Sequence, residues 1–496
     1  MAKKIIYEPS RTLMEFRLLP GLSSNETSMD QISLTTPLVN SKNSNLFLNV
    51  PIVSAAMQSV SGSEMGIELS KLGGTAFICC SQTIESQARE VSRIKNHKAG
   101  FVEPRTIHKD ILIKDVYELG MSLNFSTFPV IDDEQMFLGL ITKRDYDVKR
   151  HGLQKVSARM ISKDKLEVGV DISDLKKANT LLMESHQSVL PILNNKGKVL
   201  NIIFRKDIED HLHNPLAVVD EAKRLVSVAA INTYDYAERI SELVKANVDA
   251  LAIDSSDGFS AFQEKTISYI KKEYPNIPVI GGNIITAEAF DALASWGADA
   301  VKVGMGGGSI CITQEQKGTG RGLATSVIKV AEARDKYFKK TGNYIPVIAD
   351  GGIVNAKDIV IALAMGADYV MMGRYFARLD ESPTEKLTIN NRVMKPYWGE
   401  GSARARDWKE VRYHQAKFVE GVEGFVEYSG KLRDNLPETI SKIKASMSSA
   451  GVKDIQELHE KAELELVSAL SIREGKVHDI YMPGADGQYS SKSWGN

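Results

Sequence analysis

Short apolar, β-branched runs recur along the chain: PIVSAAM (51–57), GTAFI (74–78), VSVAAI (226–231), ALAIDS (250–255), PVIGGN (278–283), AVKVGM (300–305), PVIADG (346–351) and YVMMGR (369–374). Continuous apolar character, with no polar alternation, suits strands of a parallel sheet covered on both faces. Amphipathic segments separate most of them, such as TAEAFDALASWG after the fifth run and NAKDIVIALAMG after the seventh. These predict helices, closed by Gly297 or Gly366 before WGADAVKVG and MGADYVMMG continue as strands. Eight strands alternating with helices over roughly 250 residues predict an α/β protein built on a (β/α)8 TIM barrel. An open doubly wound sheet competes, but its glycine-rich dinucleotide fingerprint is missing near the first run.

One interval breaks the rhythm. Nearly 150 residues separate the second and third runs, far beyond a normal connection. The helix SQTIESQAREVSRIK fits directly after the second run, so the surplus falls at 97–215. The expected division is a first barrel part over 1–96, an inserted domain over 97–215 and a second barrel part over 216–496. The insert repeats internally: Pro129 aligns with Pro191, Lys143 with Arg205 and Asp145 with Asp207, each 62 residues apart. A gap-free duplication predicts two copies of one small module packed on each other. The pair resembles tandem CBS modules (a Bateman domain), which in many proteins bind adenine or guanine nucleotides. The first copy keeps that family's G-x-x-T-x-x-D pattern at Gly139, Thr142 and Asp145. The second has Asn201 and Phe204 at the first two places and keeps Asp207. Regulatory purine nucleotides and a purely structural role both remain open readings.

At 496 residues the chain exceeds one ordinary core, and 43% apolar with 25% charged residues is the balance of a globular protein. Sixty-two basic against sixty-three acidic residues give a net charge of −1, which argues against bulk capture of nucleic acid or anionic membrane. The segment MAKKIIYEPSRTL has no apolar run suited to a signal peptide, and no segment approaches a membrane span. Of three cysteines, adjacent Cys79 and Cys80 end an apolar run and read as buried strand-end residues. No metal-ligand spacing occurs, and a thiol-reducing, cytoplasmic compartment is the natural expectation.

Barrel enzymes place chemistry at the C-terminal ends of their strands. Asp350-Gly351-Gly352 follows the seventh run and Gly373-Arg374 the eighth, where backbone N–H groups commonly receive a phosphate. Tight turns are the alternative. A carboxylate beside a phosphate needs donors, such as ribose hydroxyls, so Asp350 points to a sugar phosphate or nucleotide. Asp254, in IDSSDG, reads equally as a grip on a second ribose or as a helix N-cap. Cys311 lies in GMGGGSICITQEQKGTGRG (304–322), where three consecutive glycines serve a sharp turn or a close approach. A thiol there, at the catalytic face, reads as a nucleophile, with Thr313 placed to hydrogen-bond a reacting atom.

GMGGGSICIT, IADGGI, MMGR and the inserted pair together resemble the inosine 5′-monophosphate (IMP) dehydrogenase family, from SAAMQSV (54–60) to REGKVHD (473–479). Lys302, where arginine is expected in the animal branch, gives the resemblance a microbial cast. It implies that Cys311 attacks C2 of IMP, that hydride leaves to NAD, and that water releases xanthosine 5′-monophosphate (XMP) in guanine nucleotide synthesis. It further implies phosphate contacts from Ser309, Gly352, Gly373 and Tyr397, a purine site with Met57 and Asn283, and base-edge contacts from Glu400 and Gly401. Gly351, Met372 and Arg374 complete the implied substrate set. Asp254, Ser255, Ser256, Asn283 and Gly304 form the implied cofactor set.

The polar segment 379–430 fits no strand or regular helix and reads as a mobile flap. By resemblance its Arg412-Tyr413 pair activates water, with Thr313 and Glu420 as relay. Potassium is implied at the carbonyls of Gly306, Gly308 and Cys311, completed by Glu474, Gly475 and Lys476 of a neighbouring copy in a homotetramer. Two rivals remain. GMP reductase shares the barrel and cysteine loop, but is expected to lack the inserted pair and the flap. A non-catalytic nucleotide sensor would use the barrel as scaffold.

Overall fold

The computed structural model describes every residue except 1, 3, 42–43, 98–99, 124, 407–418, 479, 484–488 and 493–496. Each of the eight apolar runs forms a strand: β1 (Ile52–Ser54), β2 (Thr75–Ile78), β3 (Val228–Ile231), β4 (Ala250–Ile253), β5 (Val279–Ile284), β6 (Ala300–Val303), β7 (Val347–Asp350) and β8 (Tyr369–Met372). They pair in parallel, in chain order, and β8 pairs with β1 to close the barrel. Val53, Phe77, Ala230, Ala252, Ile280, Ala300, Ile348 and Met371 belong to one buried cluster. Both faces of the sheet are covered, which is why the runs carry no alternation. Cys79 and Cys80 are buried.

Local signals set the helices. Thr286 caps Ala287–Trp296 by accepting the Ala289 N–H at 3.2 Å, and Asn355 caps Ala356–Ala364 by accepting that of Asp358 at 3.1 Å. Gly297 ends the first helix with φ 101°, a left-handed turn that glycine takes without steric cost.

The bottom of the barrel carries a device used three times. Asp249, Asp299 and Asp368 immediately precede β4, β6 and β8. Their carboxylates accept the N–H groups of Ser227, Val279 and Val347 at 2.8, 2.7 and 2.7 Å, just before or at the start of the preceding strand. Each carboxylate also meets a cation: Lys95 at 2.6 Å, Lys271 at 2.5 Å and Arg334 at 3.0 Å. Strand starts are thereby fastened in pairs.

The chain divides into two compact units, one of residues 1–95, 216–218 and 226–496, the other of 96–215 and 219–225. Within the second, elements recur at the 62-residue spacing. Helix Ile113–Leu123 corresponds to Leu175–Glu184, and hairpin Thr127–Ile131/Phe137–Thr142 to Val189–Leu193/Val199–Phe204. Pro129 faces Leu140 and Pro191 faces Ile202, with the register shifting at Val130/Ile131 and again at Ile192/Leu193. Asp145 accepts the Thr142 N–H at 2.6 Å in the first copy; Asp207 is buried in the second.

Segment 379–430 departs from its expected lack of regular structure. It holds β9 (Leu387–Ile389), β10 (Arg392–Trp398) and β11 (Glu423–Glu427), an antiparallel sheet, and a helical turn at Ala403–Arg406. Asn390 and Asn391, both with positive φ, make the two-residue turn between β9 and β10, a hairpin signal. Arg412 and Tyr413 lie outside the described residues. Among the described residues no helix is long and apolar enough to cross a membrane.

Candidate active site

A cavity of about 200 Å³ opens at the C-terminal end of the barrel. Its walls bring together Met57, Asp254, Ser255, Ser256, Asn283, Gly304, Gly306, Cys311, Thr313, Asp350, Gly351, Glu400, Gly401 and Glu420. These come from the ends of five strands and from the segment around β10 and β11, far apart in sequence.

The cysteine loop is held by backbone pairing. Ile312 N–H donates to the Glu420 carbonyl at 3.1 Å and Val422 N–H to that of Ile310 at 2.9 Å; Cys311 and Gly421 stand opposite each other. The 420–422 segment bonds in turn to the 399–401 turn, Gly399 N–H to Val422 O at 3.1 Å and Glu420 N–H to Gly401 O at 3.1 Å. This framework lines up a polar chain: Cys311 Sγ lies 3.3 Å from Thr313 Oγ1, which donates to Glu420 Oε2 at 3.1 Å. Lys317 Nζ stands 3.6 Å from the other Glu420 oxygen.

Asp350 anchors the β7 end of the cavity and accepts the Asn283 side-chain N–H at 2.8 Å. Burial pushes its carboxyl above the ordinary range; Lys302 and the Asn283 bond pull it back, and the Asp254 charge pushes it up again. The glycines here serve close approach. A Cβ on Gly304 would lie 1.9 Å from the Asp350 carbonyl oxygen, and one on Gly351 (φ 96°) 3.0 Å from that of Gly307.

Other expected residues lie beyond the cavity walls. A Cβ on Gly373 would fall 2.6 Å from Tyr397 Oη and 3.2 Å from Met57 Sδ, so these three are immediate neighbours. Burial raises the Tyr397 phenol, Asp350 raises it further and Arg374 opposes. Gly308 lies beside Gly352. Ser309 is exposed in the cysteine loop. The Met372 side chain is buried in the β8 end, its carbonyl accepting the Ala55 N–H at 3.0 Å. Glu474 ends helix Ala469–Glu474, with Gly475 and Lys476 following, away from these walls.

The expected set omits Lys302, Met305 and Ile310, which line the cavity, and Lys317. A lysine inside the apolar run AVKVG is a readable sign of an inward-facing cation, and Lys302 is 2% exposed. Nothing in the sequence links Lys317 to Glu420.

An IMP dehydrogenase / GMP reductase domain profile matches residues 10–478. The chain belongs to that family. It is 45% identical to inosine-5′-monophosphate dehydrogenase of Tritrichomonas foetus over 99% of this chain and 100% of the relative. It is 36% identical to the enzyme of that name from Aquifex aeolicus (strain VF5), over 87% of this chain and 89% of the relative. Among solved structures, a cysteine-to-alanine variant of GMP reductase from Trypanosoma brucei, in complex with guanosine 5′-monophosphate, matches at TM-score 0.82 and 27% identity. That match covers 95% of this chain and 98% of the reductase. One expectation is thereby corrected. Residues 96–215 make up about a quarter of the chain, so a 95% match must run through most of them. The inserted unit does not separate dehydrogenases from reductases.

Proposed function

We propose that the chain oxidises IMP to XMP, with NAD as the hydride acceptor and Cys311 as the nucleophile. The observation that carries the reading is the placement of Cys311, with Thr313 and Glu420 behind it, in the same cavity as the Asp350–Asn283 pair and Asp254. A thiol alone is common; a thiol sharing a cavity with two carboxylates suited to ribose hydroxyls is not.

In this reading Asp350 and Asn283 hold the nucleotide ribose and hypoxanthine, and Gly352, Gly373, Ser309 and Tyr397 receive the phosphate. Cys311 sulfur bonds to purine C2 and its proton leaves to solvent. The C2 hydride departs, leaving a thioimidate on Cys311. Water then adds to C2, the C–S bond breaks, the thiol is regenerated and XMP is released. The sum is IMP, NAD+ and water giving XMP, NADH and a proton. Thr313 and Glu420 offer a path for the proton of that water, and Arg412 and Tyr413 would complete it.

NAD supplies the electron-pair sink when bound. The residues fit it: Asp254 with the hydroxyls of Ser255 and Ser256 lines the cavity beside Gly304. Potassium would sit on the carbonyls of Gly306, Gly308 and Cys311, where Gly306 and Gly308 have φ 74° and 115° and turn the backbone sharply. A neighbour's Glu474, Gly475 and Lys476 in a tetramer would complete that site, and the paired modules would receive regulatory purine nucleotides. We place the chain in the cytoplasm.

The test follows NADH absorbance with IMP, NAD+ and potassium, beside Cys311→Ala. Activity should fall by at least ~10³-fold in the variant while IMP binding survives. Undiminished turnover removes Cys311 from the role. The reductase reading, favoured by the 0.82 match, predicts NADPH consumption with GMP instead.

A further inference from the structure

Glu400 lines the cavity, yet both of its carboxylate oxygens are gripped from elsewhere. Oε1 accepts the Gln58 backbone N–H at 2.7 Å, and Oε2 accepts the Ser81 hydroxyl. Gln58 directly follows the cavity residue Met57, and Ser81 lies just beyond β2. The Gln58 side-chain amide ties the same segments again, donating to the Ser81 carbonyl at 2.6 Å and accepting the Trp398 indole N–H at 3.0 Å. The Arg404 guanidinium covers the Trp398 ring at 4.1 Å. Ser81 is 2% exposed. The loops after β1 and β2 and the turn after β10 are thus fastened at one carboxylate.

We propose that Ser81 is a positioning residue for base recognition: by holding the Glu400 carboxylate back toward the loops after β1 and β2, it fixes the Glu400–Gly401 backbone where a 6-oxopurine edge is read. The assignment rests on the IMP-binding reading above. The ligand class is that of the proposed function. A 6-oxopurine presents a carbonyl beside an N–H, and a carboxylate released toward that edge would repel the carbonyl and compete with backbone groups for the N–H. Held by two donors, Glu400 leaves that edge to backbone groups. A hydroxyl donating to an ionised carboxylate is among the stronger hydrogen bonds, and its loss beside the ligand is felt in binding, not in the bond-making steps at Cys311.

The experiment uses the full chain and four variants: Ser81→Ala, Ser81→Thr, Glu400→Ala and the Ser81→Ala/Glu400→Ala pair. Two nucleotides are compared, IMP and purine riboside 5′-monophosphate, which lacks the 6-oxo group and its neighbouring N–H. Ser81→Ala should raise KM and Kd for IMP about tenfold, with kcat and KM for NAD changed less than about twofold. Kd for purine riboside 5′-monophosphate should stay within the same limit, Ser81→Thr should restore IMP binding, and Ser81→Ala should add nothing on top of Glu400→Ala. Equal weakening of both nucleotides, or an unchanged Kd for IMP, overturns the assignment. Should Ser81→Ala fail to fold, Glu400→Ala gives the same comparison, and equal weakening there overturns it too. An unsubstituted chain that binds no IMP overturns both this assignment and the reading beneath it. One that oxidises IMP while Ser81→Ala behaves like it overturns this assignment alone.

Discussion

The two ends of the barrel use the same residue type in opposite ways. At the bottom, Asp249, Asp299 and Asp368 each accept a backbone N–H from the neighbouring strand and meet a lysine or arginine. At the top, Asp254, Asp350, Glu400 and Glu420 line a cavity. Carboxylates at the bottom have neighbours chosen to hold strands together. Those at the top are arranged around a space, and burial of Asp350 near the Asp254 charge is a standing electrostatic cost. Strand fastening and cavity lining by aspartates are thus divided along the barrel axis.

Removing a bottom carboxylate is the strongest way to break that comparison. Asp368 and Arg334 are both about 3% exposed in their side chains, and Asp368 also accepts from Tyr344 Oη at 2.7 Å. Asp368→Ala leaves the buried Arg334 guanidinium with the Gly366 carbonyl and the exposed Asp335 as partners and should cost about 3 kcal/mol of stability with KM for IMP unchanged in protein that remains folded. Denaturant unfolding checks the first part and initial rates the second; a shift in KM without loss of stability would erase the distinction.

Asp350→Ala should do the reverse. On the proposed role of Asp350 in holding the nucleotide, kcat/KM for IMP should fall about 10²-fold, while the melting temperature holds or rises, because a buried carboxyl near another negative charge has been removed. A melting temperature that falls as far as that of Asp368→Ala would show Asp350 to be a structural residue.

The smallest effect sharpens a contrast between two buried lysines. Lys95 pairs with Asp249, whereas Lys395 in β10 donates to the carbonyls of Leu379 and Ser382 at 2.5 and 3.1 Å. Burial brings the Lys395 ammonium down from 10.5 to about 8. Between those values the unfolded chain binds more protons than the folded one, so this group's contribution to stability rises with pH. Below about 8 the lysine is charged in both states and its burial cost is fully present. Melting curves from pH 8 to 10 should therefore move in favour of the unsubstituted chain relative to Lys395→Met; parallel curves would place the ammonium in ordinary solvation.

Much of this is legible in the order of residues alone. The barrel runs carry no alternation because both faces of the sheet are covered, and the insert announces itself by a spacing of 62 that strands, helices and register shifts all keep. The 379–430 segment is less legible because its longest strand, Arg392–Trp398 (RVMKPYW), carries arginine, lysine and proline in place of a continuous apolar run, and its hairpin turn rests on two asparagines, a weaker signal than Asn-Gly. Site glycines were readable as places of close approach, but not what approached: for Gly351 it is the backbone of the cysteine loop itself.

The barrel, the duplicated insert and the strand ends that line the cavity are each written in local periodicity or in spacing along one chain, and so can be read without the fold. The folded barrel adds the Thr313–Glu420 hydrogen bond that resemblance alone implied, and brings together two pairs that nothing in the sequence links: Lys317 with Glu420, and Ser81 with Glu400 across 319 positions. Those contacts depend on where distant segments meet once the barrel closes, and pairwise geometry of that kind leaves no periodic trace in the order of residues.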